Sequence, residues 1–498
     1  MNATSRDYWH LKAAGLQIEG RAFIDGQYVP ALSGKTFEAR NPANGQLLAQ
    51  IAACDAADVD VAVRSSRKAF ESGVWSKMAP ADRKRILLKL SELMLTHREE
   101  LALLESLNVG KPITNALTGD IVSSAGCIQW YAEAIDKLYG EIAPTPDNMI
   151  AMVMREPIGV VAAVVPWNYP LSMASWKIGP ALAAGNCVIL KPAEQSPLTA
   201  LRIAQLAVEA GVPPGVLNVL PGYGETAGRA LGLHMDVDCV GFTGSTEVGR
   251  LFMQYSGQSN IKRVGLECGG KTPHIVLADC DDLDGAARAV AMGIFGNAGQ
   301  VCNAGSRLLV EAPIREALLE KVVAVGRELI PGDPLDPATR MGAIVSETQM
   351  QRVLSYIDIG RNEGARVVLG GQQVNKDSGG YFVEPTVFDG AKNAMRIAQD
   401  EIFGPVLASI SVNGLDEALA IANDTIYGLA AGIWTSDVRK AQRAAKALRA
   451  GVVWVNCFDR GNMSAPFGGF KQSGFGRDKS LHAMDKYTQL KATWINIS

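Results

Sequence analysis

Cys302 has the surroundings of a reactive cysteine rather than those of a structural one. Residues 299–307 read GQVCNAGSR, so the thiol lies among small and polar residues. A turn of glycine and asparagine lets the backbone approach a ligand closely and can direct N–H groups at a developing negative charge. The alternative is a small buried cysteine, since free cysteines are among the most buried residues. This stretch alone leaves a thiolate nucleophile and a packing role equally open.

An acid and an amide at the ends of predicted strands are two further candidates. Glu267 ends a strand in the stretch LECGGK at 266–271, where a partly desolvated carboxylate can act as a general base. Asn168 follows another strand in the stretch VPWNYP at 165–170, and its amide can donate to an oxyanion. A loop acid and a turn made by two prolines are the plain alternatives.

Three stretches at strand ends are suited to a nucleotide. Lys191 and Glu194, in KPAE, can hold vicinal ribose hydroxyls, and the acid would repel a 2′-phosphate, which favours NAD over NADP. Residues 242–249, FTGSTEVG, lead from a strand into a helix whose N-terminus suits pyrophosphate. Residues 222–227, GYGETA, fit the looser GxGxxA pattern. Taken singly, a solvated ion pair and ordinary glycine turns explain these stretches as well.

Residues 158–266 alternate between strand-like and helix-like segments, and these elements must position the candidate side chains. The nearly continuous apolar run at 158–165 is typical of a buried parallel strand. The alternation predicts a doubly wound α/β domain, which binds ligands beyond the carboxyl ends of its strands. The predicted strands are 158–165, 187–190, 217–220, 239–242 and 261–266, and the predicted helices are 172–184, 197–210, 225–231 and 246–255.

Helical segments precede this region and a second α/β series follows it. Apolar residues at helical spacing predict helices over 82–104 and 120–138. Residues 274–460 read as further strands and helices, and 487–497 read as a final strand. Because an unpaired terminal strand is an aggregation-prone edge, we expect it to pair with another subunit.

Length and composition limit the class of protein. A chain of 498 residues predicts two or three domains, and a net charge of −3 gives no reason to expect nucleic acid or an anionic membrane as a partner. The eight cysteines form no CxxC or Cys/His cluster, which predicts reduced thiols and no metal site. Residues 1–10 lack the apolar core of a signal peptide, and no apolar run has the length of a membrane span. We therefore expect a cytoplasmic protein.

The motifs, taken in order, resemble those of the aldehyde dehydrogenase superfamily. Residues 299–307 resemble its cysteine motif, and 266–273 resemble its Glu-Leu-Gly-Gly-Lys motif. Residues 401–406, EIFGPV, and 466–474, PFGGFKQSG, resemble two further signatures, and the resemblance extends from about residue 20 to the end. It implies an α/β fold with a Rossmann-type cofactor domain, an α/β catalytic domain and a small β oligomerisation element. The implied ranges are 1–144 with 162–273 for NAD binding, 274–484 for catalysis, and 145–161 with 485–498 for oligomerisation.

The resemblance also implies a reaction and a role for each motif residue. An aldehyde is oxidised to the carboxylic acid with NAD, through a thiohemiacetal and then a thioester on Cys302. Glu267 is the implied base for thioester hydrolysis, Asn168 and the Cys302 N–H form the oxyanion hole, and Lys177 is a helper near Asn168. The presence of Glu267 argues against a CoA-acylating enzyme, and both Cys302 and Glu267 argue against a non-catalytic nucleotide-binding protein. The implied cofactor contacts are Val165, Trp167, Lys191, Glu194, Gly244, Ser245, Cys268, Glu401 and Phe403.

Two positions depart from the family pattern. Cys268 replaces the usual Leu or Ala, so a second thiol near Cys302 can form a disulfide under oxidation. Asp478 stands where many members have Glu, and a shorter acid is expected to reach less far, which puts a proton-relay role in doubt.

The substrate is the least determined feature. Residues 8–9, 18–21, 130–137 and 476–483 resemble a bacterial subgroup that oxidises γ-glutamyl-γ-aminobutyraldehyde and 4-guanidinobutyraldehyde. In the loop 456–464, NCFDRGNMS, that subgroup usually has Asp at the position of Asn462 and no Arg at 460, so a buried substrate cation would lose a counter-charge that Asp459 and Asp120 only partly replace. Aromatic and Met side chains suit a neutral aryl group, so we predict an apolar or aromatic aldehyde such as indole-3-acetaldehyde, with the polyamine-derived aldehydes as the alternative. We also expect self-association as a dimer or tetramer, and of these a homotetramer. The predicted substrate-binding residues are Tyr169, Met173, Trp176, Val301, Asn303 and Phe458. For Met173 and Trp176 the alternative is a position in the hydrophobic core.

Overall fold

Two sheets of mostly parallel strands dominate residues 5–498, which are the residues that this computed structural model describes. Residues 1–4, at the start of the predicted cofactor-binding range, lie outside them. A three-stranded antiparallel sheet and two two-stranded sheets complete the described strands. The strands are β1 Ala22–Ile24, β2 Gln27–Val29, β3 Thr36–Arg40, β4 Leu47–Ala52, β5 Glu141–Ala143, β6 Met149–Pro157, β7 Val160–Val164, β8 Cys187–Lys191, β9 Leu217–Val219, β10 Cys239–Thr243, β11 Arg263–Glu267, β12 Pro273–Val276, β13 Arg307–Glu311, β14 Arg366–Leu369, β15 Gln373–Val374, β16 Phe382–Val383, β17 Thr386–Asp389, β18 Val406–Val412, β19 Ala430–Trp434, β20 Val452–Val455, β21 Gly474–Phe475 and β22 Thr488–Asn496.

Helices cover both faces of the two large sheets. Among the described residues, no helix is both long enough and apolar enough to cross a membrane. The α-helices are α1 Arg6–Ala14, α2 Ala56–Ser72, α3 Pro80–Thr96, α4 Arg98–Val109, α5 Ile113–Asn115, α6 Ile121–Ala134, α7 Pro170–Ala183, α8 Leu198–Ala210, α9 Arg229–Leu233, α10 Thr246–Gln258, α11 Leu283–Phe295, α12 Arg315–Glu328, α13 Glu347–Asn362, α14 Arg396–Gln399, α15 Leu415–Asn423 and α16 Val438–Ala447.

The first large sheet confirms the predicted doubly wound α/β fold. Its strand order is β2-β1-β9-β8-β7-β10-β11-β21, and the five strands from β7 to β11 are parallel to one another. Strands β7 and β8 are buried on both faces, as their continuous apolar sequences predict. The chain runs from β7 outward through β8 and β9 and then crosses to β10 on the other side of β7. In a sheet with such a reversal of strand order, ligands bind beyond the carboxyl ends of the strands at the reversal.

Side chains of β7 alternate between two cores. Val161 and Ala163 pack in the cluster that contains α7 and α8, whereas Val160 and Ala162 pack in the cluster that contains α2 and α10. This alternation follows the two-residue period of a strand and places the crevice between two helical layers.

The second large sheet has the order β14-β17-β18-β13-β12-β19-β20 and a core of its own. It confirms the second α/β series predicted from residue 274 onward. Neighbouring strands β11 and β12 belong to different sheets, so the chain passes between the sheets at the predicted boundary near residue 273. Strand β21 returns to the first sheet from the range predicted to be catalytic, where Gly474 pairs with Glu267. The division of the chain into separate domains stays a prediction.

The final strand forms a nine-residue antiparallel ladder with β6, from Thr488 opposite Pro157 to Asn496 opposite Met149. It lies at the edge of the sheet β22-β6-β5. Leu490 and Trp494 on this edge strand are each more than 60% exposed. The terminal strand is therefore confirmed, and its pairing with another subunit stays a prediction.

Three predicted elements differ from the structure. The helix expected over 225–231 is a π-helix over Gly224–Gly228 followed by α9 from Arg229. The helix expected over 82–104 is interrupted at His97, whose backbone is not helical, so α3 and α4 are separate helices. The apolar spacing continues across this break, with Leu87 and Leu101 both buried, and therefore hides it. The strand expected at 261–266 begins only at Arg263, because Ile261 is exposed and has a φ of 58°.

Candidate active site

The loop that carries Cys302 is held in a strained conformation between α11 and β13. Asn297, Ala298 and Gly299 have successive φ values of 47°, 53° and 72°. Such angles cost energy for non-glycine residues and persist only where the surroundings enforce them. A side chain at Gly299 would overlap the carbonyl of Gly404, so this glycine is required both for its φ and for close packing.

Gln300 fixes this loop with both its side chain and its backbone. Its Oε1 accepts from the N–H of Val345 at 2.9 Å, and its Nε2 donates to the carbonyl of Asn297 at 3.2 Å. Its own carbonyl accepts from Nδ2 of Asn168 at 2.8 Å. Asn168, the predicted oxyanion donor, is thus tied to the backbone two residues before Cys302, and its second N–H has no protein partner among residues 5–498.

The Cys302 thiol is half-buried and lies near several carboxylates. Burial raises its pKa far above the ordinary range, and the charges of Glu267, Glu401 and Asp459 raise it further, whereas the N–H of Asn303 lowers it. In the protein alone the thiol form is therefore favoured, and formation of the thiolate requires transfer of the proton to a base.

Glu267 lies at the end of β11 with its side chain buried, and it is the acid that the sequence singled out. Its Oε1 has no hydrogen-bond partner among the described residues. Burial, and secondly the charge of Asp478, raise the pKa of Glu267 to about 8, while Lys177, Lys486 and Arg477 lower it. A carboxyl group with this pKa can exchange a proton near neutral pH, as a general base must.

A buried ion cluster lies beside Glu267. Oδ2 of Asp478 accepts from Nζ of Lys177 at 2.5 Å, and Oδ1 accepts from Nζ of Lys486. The Asp478 carboxylate touches both ammonium groups, and the doubt about a proton-relay role for this shorter acid stays a prediction. Lys177 lies close to Asn168 in the sequence, but its ammonium forms an ion pair with Asp478. No sequence pattern indicated Lys486 as a residue of the site.

Cys268 faces away from the strand end into a hydrophobic core. Its Sγ lies 2.9 Å from the position of a Cβ on Gly249 in α10, and its thiol is free. Burial raises the pKa of Cys268 to about 12. The reduced thiol therefore has the environment of a packing residue, and the backbone N–H of Cys268 donates to the carbonyl of Ser473 at 2.9 Å.

The predicted nucleotide contacts gather along the carboxyl edge of the first sheet. Lys191 ends β8 with its ammonium buried, 3.7 Å from the partly exposed carboxylate of Glu194. Ser245 caps α10 by accepting from the N–H of Val248, so the first turn of a thirteen-residue helix points at the crevice. This set of a partly exposed acid, a nearby cation and a helix N-terminus fits a dinucleotide. Val165, Trp167 and Gly244 lie on the same edge, directly after β7 and β10.

The second half of the chain contributes to the same crevice. The ring of Phe403 contacts that of Trp167 edge to face, with centroids 5.0 Å apart. Glu401 accepts from the N–H of Gly270 at 3.2 Å, and burial raises its pKa to about 7. A side chain at Gly269 would overlap the Glu401 carboxylate, and one at Gly270 would lie 2.6 Å from the Cys302 carbonyl. The two glycines therefore allow Glu401 and the cysteine loop to meet.

A cleft of about 450 Å³ lies beside the cysteine loop. Four of the predicted substrate residues line it: Tyr169, Val301, Asn303 and Phe458. The sequence did not indicate the cleft residues Arg288 and Met292 of α11, because this segment has the pattern of an ordinary amphipathic helix.

The other two predicted substrate residues lie elsewhere. Met173 is buried in the core of α7, and the indole of Trp176 lies under the ammonium of Lys479, 4.4 Å from its ring centre. Neither lines the cleft described above.

The acidic side chains near this cleft differ in how far their charge is compensated. Asp459 lines the cleft and accepts from Nδ2 of Asn303 at 2.8 Å. Asp120 is buried and paired with Lys111 at 2.5 Å, so its charge is already compensated. The ammonium of Lys111 lies 3.7 Å from the ring centre of Tyr169. Among residues 5–498, no group of three His, Cys, Asp or Glu side chains could hold a metal ion.

Comparison with known proteins gives close matches over the whole chain. The model of the Aldehyde dehydrogenase family matches residues 28–493. The aminoacetaldehyde dehydrogenase of Pseudomonas aeruginosa is 52% identical over 495 residues, which cover 99% of each chain. A solved indole-3-acetaldehyde dehydrogenase in complex with NAD⁺ is 58% identical, with a TM-score of 0.98 and 99% of each chain covered. A γ-glutamyl-γ-aminobutyraldehyde dehydrogenase from Burkholderia cenocepacia J2315 is 56% identical, with a TM-score of 0.98 over 99% of this chain and 100% of that one.

Proposed function

The chain belongs to the aldehyde dehydrogenase family, and we propose that it oxidises an apolar or aromatic aldehyde to the carboxylic acid with NAD. The observation that carries this proposal is the convergence of a cysteine, an amide and an unpartnered acid. Asn168 is bonded to the Cys302 loop, and the charge of Glu267 acts on the Cys302 thiol. These three groups come from separate elements and supply a nucleophile, an oxyanion donor and a base.

The covalent step begins at the sulfur of Cys302. Once deprotonated, the sulfur attacks the aldehyde carbon, a C–S bond forms and the π electrons of the carbonyl move to its oxygen. The free N–H of Asn168 and the N–H of Cys302 stabilise the resulting oxyanion. A side-chain amide has two N–H donors, so Asn168 can hold the loop and the oxyanion at once.

The predicted nucleotide contacts would hold NAD across the crevice between the two sheets. When bound, the cofactor would supply the hydride acceptor that converts the thiohemiacetal on Cys302 into a thioester. Lys191 and Glu194 would hold the adenosine ribose, and the α10 N-terminus with Gly244 and Ser245 would hold the pyrophosphate. The remaining contacts assigned to the cofactor are Val165, Trp167, Cys268 through its backbone, Glu401 and Phe403.

Glu267 completes the reaction as the base for hydrolysis. Its carboxylate removes a proton from water, the oxygen attacks the thioester carbon, and the C–S bond breaks to release the carboxylic acid and the Cys302 thiolate. The buried Lys177 next to Asp478 acts on Glu267 through its charge.

The cleft supports a neutral aryl substrate over a cationic one. Tyr169 and Phe458 offer aromatic surface, while Arg288 and Arg460 line the same cleft and form no ion pair among the described residues. Lys111 already occupies one face of the Tyr169 ring, so a second cation on that ring would be repelled. Indole-3-acetaldehyde, the substrate in the name of a 58% identical relative, has the required neutral aryl group.

A polyamine-derived aldehyde is the second candidate. Asp459 lines the cleft and can face a substrate cation, although Asn303 already donates to it. The names of two relatives, an aminoacetaldehyde and a γ-glutamyl-γ-aminobutyraldehyde dehydrogenase, favour this class as well.

We further propose that residues 145–161 and 485–498 join subunits into a dimer or tetramer. The exposed Leu490 and Trp494 on edge strand β22 support this assignment. Residues 1–144 with 162–273 would form the cofactor domain and 274–484 the catalytic domain. Light scattering of the purified protein measures the oligomer, and a monomer at micromolar concentration contradicts the proposal.

The Cys302→Ala variant tests the proposed chemistry directly. We expect it to lose NADH formation from any aldehyde while still binding NAD. Cys457→Ala is the matched control, because this second thiol lines the same cleft but has no role in the reaction. Turnover of Cys302→Ala comparable to that of the control refutes the assignment.

A further inference from the structure

Lys486 is a buried lysine that the reaction described above does not use. Its side chain is 9% exposed and belongs to the turn Leu481–Tyr487 that precedes the final strand. Its ammonium donates to Oδ1 of Asp478 and to the carbonyl of Arg477 at 3.0 Å. A Cβ on Gly265 would lie 3.0 Å from its Cδ, so its stem packs along β11, two residues before Glu267.

Asp478 divides its two oxygens between two lysines. Oδ2 bonds to Lys177 from α7, and Oδ1 bonds to Lys486 from the opposite side. The side chains of Asp478 and Lys177 are each 1% exposed. Two buried cations and one buried anion leave a net positive charge, which is costly unless another anion compensates it.

Glu267 is the acid that can supply this compensation. The charged groups that act on it are Lys177, Lys486 and Arg477, which favour its ionised form, and Asp478, which opposes it. The charge of Glu267 also acts on the thiols of Cys268 and Cys302, which are neutral when protonated. Removal of Lys486 would leave a neutral Lys177–Asp478 pair. Burial would then favour the protonated form of Glu267.

We propose that Lys486 is a positioning residue for the base Glu267, an inference that rests on the proposed function. It holds Asp478 toward Lys177, and it supplies the positive charge that allows Glu267 to be ionised when the thioester is hydrolysed. Lys486 touches neither substrate nor cofactor in this role, so it acts on the second half of the reaction through Asp478 and Lys177.

Separate measurement of the two steps of the reaction distinguishes this positioning role from a merely structural one. Rapid mixing of the whole enzyme with NAD⁺ and propanal measures the first turnover of NADH, which reports thioester formation. The steady-state rate reports thioester hydrolysis where that step is slowest. We compare the wild type with Lys486→Met, which fills the same volume without charge, and with Lys486→Arg, which keeps the charge.

In Lys486→Met we expect a normal first turnover of NADH. The acidic limb of the pH profile for thioester hydrolysis should shift upward by about one pH unit, so the hydrolysis rate at neutral pH should fall roughly tenfold. Lys486→Arg should retain most of the wild-type profile. An unshifted acidic limb in Lys486→Met, or an equal loss at every pH, overturns the proposal. If Lys486→Met does not fold, as judged by thermal unfolding, Lys486→Gln keeps a donor for Asp478 without the charge and is held to the same outcomes.

The Glu267→Gln variant distinguishes this proposal from the proposed function. If Glu267→Gln retains the wild-type rate and acidic limb of hydrolysis, the assignment of the base fails. If Glu267→Gln loses hydrolysis but Lys486→Met behaves as the wild type, only the role of Lys486 fails.

Discussion

The side-chain amide of Asn168 donates to the backbone carbonyl of Gln300, 2.8 Å away and 132 positions later in the chain. This bond connects the carboxyl end of β7 in the first sheet to the loop that presents Cys302 from the second half of the chain. The amide of Asn297 reinforces the link by donating to the carbonyls of both Asn168 and Gln300. The predicted oxyanion donor and the nucleophile are therefore held in one hydrogen-bonded unit.

Replacement of Asn168 should slow the reaction much more than it destabilises the fold. In Asn168→Ala we expect kcat/KM to fall by about a hundredfold to a thousandfold, because one donor to the oxyanion is lost. Steady-state NADH formation measures this loss. Asn297→Asp is the control, since it removes donors to the same loop and keeps a residue that tolerates a positive φ. Equal losses in the two variants would mean that Asn168 only supports the loop.

Hydrolysis of the thioester should depend on pH through Glu267. The base acts when ionised, and its pKa is raised to about 8, so the hydrolysis rate should rise as the pH increases through about 8 and level off above it. Glu267→Gln should retain the first turnover of NADH and lose this rise, which rapid mixing at several pH values measures. Glu401→Gln is the comparison, because Glu401 is also buried and has a raised pKa but bonds to Gly270. A rate in wild type that falls as the pH rises through 8 contradicts this role.

Local sequence was sufficient to single out the candidate groups of the site, but not to assign a role to any of them. Cys302, Glu267 and Asn168 each lie where a strand or helix ends in glycine, proline or asparagine, and such turns are visible in a short stretch. The parallel strands were predictable for a similar reason, because β7 and β8 are apolar without interruption. Motif order then joined these stretches into one family pattern.

Contacts between distant elements were not predictable from the sequence. Lys177 and Asp478 are 301 positions apart. Periodicity predicts which face of a helix or strand is buried, but it does not predict which side chain of another element packs against that face. For the same reason α11 gave no sign that Arg288 lines the cleft.

The choice of cofactor should change when Glu194 loses its charge. Its carboxylate lies 3.7 Å from the Lys191 ammonium and would repel a 2′-phosphate. In Glu194→Gln we expect the ratio of kcat/KM for NADP to that for NAD to increase roughly tenfold, the effect of about 1.4 kcal/mol. Glu38→Gln is the control, since Glu38 and Glu194 line one cavity and Glu38 is already paired with Arg40. An unchanged ratio in Glu194→Gln would show that its charge does not select the cofactor.

Arg460 should determine how strongly the cleft rejects a cationic substrate. The wild type should prefer indole-3-acetaldehyde to 4-guanidinobutyraldehyde, because Arg288 and Arg460 line the cleft and the charge of Asp120 is compensated by Lys111. In Arg460→Ala the kcat/KM for the guanidino substrate should rise about fivefold, an effect of ~1 kcal/mol, with little change for the aryl substrate. Arg439→Ala, at an exposed position on α16 that does not line the cleft, serves as the control for lost surface charge. A preference of about a hundredfold for the guanidino substrate in the wild type, ~2.7 kcal/mol, would instead assign the enzyme to the polyamine-derived aldehydes, with Asp459 as the counter-charge.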